Sequence, residues 1–164
     1  MATRKGSTRI AVIAALAVAV AIAAIGWAGT ASSKAAAQSA AKTATVQTKK
    51  LTKLGTVLVN NKGLTLYMFV PDKQKKVTCT SQACVTVWPP LKIKSGSPTA
   101  GGGARKNLLG TDMSPKGYHV VTYNRWPLYT YLLDKKPGQA KGQGVTNSGG
   151  KWYVLSPAGT VIKK

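Results

Sequence analysis

The chain has 164 residues, of which 24 are Lys or Arg and three are Asp or Glu, a formal net charge of +21. One His and two Cys are too few for a four-ligand zinc site, a blue-copper centre or a c-type haem attachment, so no metal or cofactor is expected. The charge favours polyanions such as anionic lipid headgroups, phosphate-rich wall polymers or nucleic acid. The blander alternative is a soluble exterior of scattered lysines.

Arg4, Lys5 and Arg9 precede Ile10 to Ala28, 19 residues without a charge, and the small residues Gly29-Thr30-Ala31 follow. Residues 1–31 thus have the layout of a secretory signal, and the apolar run is also long enough to cross a bilayer as an uncleaved helical anchor. Either way the remainder is expected to be extracytoplasmic, secreted or attached to the cell membrane through this segment. No Cys occurs before Cys79, so the end of the apolar run offers no site for a lipid. Residues 32–53 are dominated by Ala, Lys, Thr, Ser and Gln, contain no aromatic side chain, and read as a flexible tether.

What remains, residues 54–164, is the size of one domain with one core. It holds sixteen basic residues against three acids, a net of +13. Within it Gly55 to Lys73 and Gly117 to Lys135 align at an offset of 62 with six of 19 positions identical, among them Leu66/Leu128, Tyr67/Tyr129 and Asp72/Asp134. Phe69 meets Tyr131, and two residues of slip later Trp88 meets Trp152. Unrelated segments would share about one position, so the domain reads as a duplicated supersecondary unit, copy one over 54–94 and copy two over 117–164.

Copy one opens with the β-branched run Gly55 to Asn60, turns at Asn61-Lys62-Gly63, and returns as a strand over Leu64 to Val70, closed by Pro71-Asp72. Val85 to Trp88 reads as a short strand stopped by Pro89-Pro90. Residues 95–103 form a surface crossover. In copy two, His119 to Tyr123 and Trp126 to Leu133 are the paired strands, residues 137–150 a glycine-rich loop, and Trp152 to Leu155 and Thr160 to Ile162 the last strands. No window shows convincing helical periodicity. The expectation is an all-β fold, two pseudo-symmetric antiparallel repeats forming one small sandwich or barrel.

Cys79 and Cys84, in an exported domain, suit a local disulfide, with a redox pair as the alternative. His119 is a lone strand residue with no nucleophile and acid set in order beside it. Asp72 and Asp134 are read as caps of the turns leaving their strands. The alternative is a facing carboxylate pair for glycoside chemistry. Tyr67 and Phe69 share one face of their strand, and Tyr129 and Tyr131 repeat it. With Trp88, Trp126 and Trp152 these rings read as buried core, an exposed stacking platform being the other reading. No nucleic-acid module is visible, and export argues against that partner.

Tyr67-x-Phe69-x-x-Asp72 and Tyr129-x-Tyr131-x-x-Asp134 resemble the Tyr-x-aromatic-x-x-Asp motif of a bacterial family of predicted lipoproteins, also described as secreted repeats of unknown function. The segment Cys79…Cys84…Trp88-Pro89-Pro90-Leu91 is similar to that family's Cys…Cys…Trp-Pro-Pro, as are Trp126-Pro127-Leu128-Tyr129 and Lys151-Trp152-Tyr153-Val154. The resemblance implies an extracytoplasmic envelope protein, often membrane-attached, and supplies no activity. The function expected is therefore a non-enzymatic binding or structural module for an anionic or carbohydrate envelope partner. The alternative is an accessory of extracytoplasmic electron transfer or redox handling.

Overall fold

Strand β1 (Val46–Leu51) pairs antiparallel with β2 (Gly55–Asn60), in register from Val46 opposite Asn60 to Leu51 opposite Gly55. The computed structural model describes residues 45–74 and 76–164. The leader, whether signal or apolar helix, and residues 32–44 of the expected tether lie outside the described residues. Among the described residues no helix is long and apolar enough to cross a membrane.

β1 corrects the tether reading, because residues 46–51 are sheet. Val46 and Leu51 are buried, and their odd and even positions send them to opposite faces. Each enters a different apolar cluster, while Lys49 and Lys50 stay in solvent. Composition hid this strand because its partner supplies the burial. β1 also fastens the crossover loop: Val46 donates to the Thr99 carbonyl and accepts from Gly101, at 3.0 and 2.9 Å.

The turn after β2 is built by Asn60, whose side-chain oxygen accepts from the amides of Lys62 and Leu64. Strand β3 (Tyr67–Phe69) pairs with β9 (Gly150–Val154), which pairs in turn with β8 (Thr146–Asn147). A further, four-stranded sheet centres on β6 (His119–Tyr123), flanked by β4 (Lys92–Ile93), β5 (Leu109–Met113) and the short β7 (Trp126–Pro127). All named strand pairs are antiparallel, so the expected all-β repeat architecture is present.

Four expected strands differ: Leu64 to Val70 is strand only over Tyr67–Phe69, and Thr160 to Ile162 is reduced to a single bridge between Val161 and Leu155. Val85 to Trp88 is not a strand, because Gln82–Val87 forms the short helix α1. Ser81 caps it by accepting from the Cys84 amide, and the Cys79–Cys84 disulfide ties its first turn to the preceding loop. These local constraints outweigh the strand preference of three β-branched residues. Trp126 to Leu133 is paired as a strand only over Trp126–Pro127 and continues as single bridges at Tyr129.

Alternation along β2 and β3 divides the core in two. Val57, Val59, Tyr67 and Phe69 face one cluster with Trp88, Tyr129 and Trp152. Leu58, Leu66 and Met68 face the other with Val121, Tyr123 and Leu128. Each cluster mixes residues from both copies, so the repeats share one core.

The candidate functional site at the junction of the repeats

Tyr67 and Tyr129 meet backbone to backbone. The amide of each donates to the carbonyl of the other, at 2.8 and 2.9 Å, which sets a pseudo-twofold relation between the copies. From this pair the two phenols reach across to the opposite repeat. Tyr67 Oη donates to Asp134 Oδ2 at 2.5 Å, and Tyr129 Oη donates to Asp72 Oδ2 at 2.7 Å. Such lengths are typical of a hydroxyl bonded to an ionised carboxylate. The Tyr and Asp of one sequence motif therefore do not bond each other. Each pairs with its counterpart's partner.

The carboxylates also organise loops, though further along the chain than a turn cap. Asp72 Oδ1 accepts from the Thr78 amide at 2.8 Å and its hydroxyl at 2.6 Å. Asp134 Oδ1 accepts from the Lys141 amide at 2.9 Å. Burial pushes the Asp72 carboxyl above its usual value, against the lowering pull of its bonds from Thr78 and Tyr129. Burial, and then the neighbouring carboxylate, push both phenols well above the ordinary tyrosine range. The phenols are therefore held protonated and act as donors.

Between the two braces the aromatic rings form a stack. Trp88 and Trp152 lie face to face at its centre, centroids 3.9 Å apart and planes 2° from parallel. Tyr131 stacks outside Trp88 at 4.2 Å, and Phe69 outside Trp152 at 4.1 Å. Tyr67 meets Trp88 edge-on at 5.5 Å and Tyr129 meets Trp152 edge-on at 5.1 Å. The expected burial of these rings holds, except that Tyr131 at one end of the stack and Trp126 outside it are only partly buried. Both indole N–H groups donate to the same residue, Trp88 to the Asn147 side chain and Trp152 to its carbonyl.

Trp126 does not join the stack and packs against the second cluster. Pro127 pairs with Thr122, Pro90 bridges to Tyr129, and the Pro89 carbonyl accepts from Thr130, so these motif residues frame the junction without lining the rings. Cys79 and Cys84 form the expected disulfide, buried beside Asp72's loop. His119 is exposed at the start of β6.

Sequence reasoning missed Asn147 and Thr78, and gave Gly142 no structural role. The amide of Gly142 donates to Tyr67 Oη, and a Cβ there would lie 2.7 Å from the Trp88 ring. Only glycine lets this loop close over the rings. The run of glycines in residues 137–150 was the available signal.

Outside the junction, a cleft of about 370 Å³ lies between the β1–β2 turn and the copy-two loop, lined by Leu51, Lys53, Leu54, Ala140 and Gln143 among others. Gly138 also lines it, and Lys49 Cε lies 3.9 Å from where a Cβ on Gly138 would sit.

A family described as a secreted repeat of unknown function matches the chain twice, at residues 48–92 and 110–156. The chain belongs to this family. Tyr67 lies in the first match and Tyr129 in the second, so this backbone pair joins one family repeat to the other. No curated protein and no solved structure matches the chain. Membership agrees with an exported protein, as does a disulfide in an oxidising compartment.

Proposed function

We propose that this member of the family is a non-enzymatic envelope module that binds an anionic partner, a wall polymer or a lipid surface. One observation carries this reading. Asp72 and Asp134 are buried and spent on the tyrosine braces, while every described Lys and Arg is exposed. The exterior is therefore almost entirely of one sign, and such a field draws polyanions. The cleft beside Lys49 and Lys53 is the preferred seat for an anionic group. Binding to purified anionic wall polymer and to vesicles with and without anionic lipid tests the reading. The expected result is binding that weakens steeply with salt and is reduced by Lys49→Ala with Lys53→Ala. Absence of binding to both, or binding indifferent to salt, would count against it.

An accessory role in extracytoplasmic electron transfer is a second reading, favoured by the contiguous ring stack. The cysteine pair adds little to it, being bonded and buried. A chain that gives up no electron to a strong one-electron oxidant would sink this reading.

A further inference from the structure

Tyrosine and tryptophan are, with cysteine, the side chains from which one electron is most readily removed. Transfer between them is fast when rings are in contact. In this domain a path of two ring contacts leads from the partly exposed Tyr131 to the buried Tyr67: Tyr131 on Trp88 at 4.2 Å, then Trp88 on Tyr67 at 5.5 Å. A direct Tyr67–Tyr131 contact at 6.3 Å runs beside it.

Removing an electron from a buried phenol would leave a positive charge in a site that solvates charge poorly. The charge is avoided if the phenolic proton leaves at the same moment. Tyr67 Oη already donates to Asp134 Oδ2 at 2.5 Å, so the proton need move only along an existing hydrogen bond. The other bond to that carboxylate comes from the neutral Lys141 amide.

The related arm through Trp152, Tyr129 and Asp72 has the same geometry, but Phe69 stands where copy two has Tyr131. Phenylalanine is not oxidised under comparable conditions, and Phe69 is buried. Of the two outer rings of the stack, Tyr131 is therefore the oxidisable one and the one that reaches the surface.

We propose that this array is a one-electron relay, in which Tyr131 and Trp88 carry an oxidising equivalent inward to Tyr67 and Asp134 stores the proton. The oxidant is a high-potential metal centre, on a partner protein or a small complex, that accepts one electron at Tyr131 and is itself reduced by one. The electron is made good from Trp88 and then from Tyr67. The Tyr67 O–H bond breaks, and the proton forms an O–H bond on Asp134 Oδ2. The products are a neutral Tyr67 phenoxyl radical and a neutral Asp134 carboxylic acid. Return of one electron from a one-electron donor reverses every step.

The proposal rests on the electron-transfer reading and is independent of anion binding. It is tested by flash oxidation of the intact chain with an anionic, sulfonated ruthenium polypyridyl complex and a cobalt(III) ammine as electron acceptor. Radicals are followed by transient absorption and electron paramagnetic resonance. The expected result is a neutral tyrosyl radical whose formation slows in D2O. Asp134→Asn keeps a hydrogen-bond acceptor but no base, and is expected to lose that radical and leave a tryptophan radical. Trp88→Phe is expected to lose the buried radical. Tyr131→Phe copies the residue found in the other repeat, so it serves as the variant least disturbing to the fold, and it is expected to diminish radical formation. A tyrosyl radical formed equally well in Asp134→Asn, or insensitive to both Trp88→Phe and Tyr131→Phe, overturns the relay while leaving the electron-transfer reading standing. No radical on any ring of the intact chain overturns both.

Discussion

Asp72 is wholly buried and accepts from Tyr129 and from both the amide and the hydroxyl of Thr78, whereas Asp134, 4% exposed, accepts from Tyr67 and the Lys141 amide. The loop behind Asp72 is fastened by the Cys79–Cys84 disulfide and the cap of α1. The loop behind Asp134 has no disulfide and closes instead through Gly142, whose lack of a Cβ lets it lie against Trp88 and Tyr67. The comparison separates what the repeat requires from what it tolerates. The tyrosine, the carboxylate and the central indole are common to both copies because each completes the other copy's hydrogen bond or ring contact. The supporting loop has only to present an N–H to the carboxylate, and many sequences do that.

The largest test is to separate the copies. Every Tyr–Asp brace and the Trp88–Trp152 contact crosses between them, so neither half keeps a satisfied core. A chain cut near Gly101 is expected to give two fragments that fold only when mixed, and the intact domain to unfold in one transition. Dispersed amide resonances in the isolated first fragment would restore two independent units.

Removing a carboxylate asks whether the braces are equal. Asp72→Ala leaves the Tyr129 hydroxyl and both Thr78 donors without their acceptor, an expected loss of about 1–3 kcal/mol in urea unfolding. Asp134→Ala is expected to cost less, because it orphans fewer donors in a less buried place. Asn at either position should cost less than Ala, since its amide oxygen still accepts. A larger loss at Asp134 would reverse the ranking.

Reducing the disulfide touches copy one alone. Opening so small a loop is expected to cost about 2 kcal/mol on the chain-entropy account, and to add little to the cost of Asp72→Ala, since both loosen one loop. Unfolding with and without reductant, in both backgrounds, measures the coupling. Fully additive losses would show that the two features support the loop separately.

The smallest effect is a pH slope. Burial raises the Asp72 carboxyl, so the folded domain binds that proton more tightly than the unfolded chain. The stabilisation is fully present below the unfolded value and is lost as pH rises through the folded one. Lowering the pH from neutral through that window should raise the urea midpoint relative to Asp72→Asn, which lacks the titrating group. A parallel pH dependence in the two proteins would contradict it.

Read as a sequence, the chain already gave the duplication, the alternation of Tyr67 and Phe69 against Leu66 and Met68, the turn at Asn61-Lys62-Gly63 and the pairing of Cys79 with Cys84. These follow from local chemistry: the strand period of two, turn residues that favour a tight reversal, and cysteines close enough to bond. Other features depended on the tertiary structure. β1 was hidden in a lysine-rich segment because its apolar residues gain burial only from β2 and the two clusters. Helix α1 replaced an expected strand because a cap and a disulfide outweighed β-branched propensity. The rings read as buried core, but their order is set by packing: the indoles of Trp88 and Trp152 lie at the centre and Phe69 and Tyr131 at the ends. The exchange of partners, Tyr67 with Asp134 and Tyr129 with Asp72, was the least legible feature. Within one motif, tyrosine and aspartate are five residues apart, and the aspartate reads as a cap of the turn that follows. Only the packing of two copies about a shared pair of backbone hydrogen bonds brings each phenol to the carboxylate of the other.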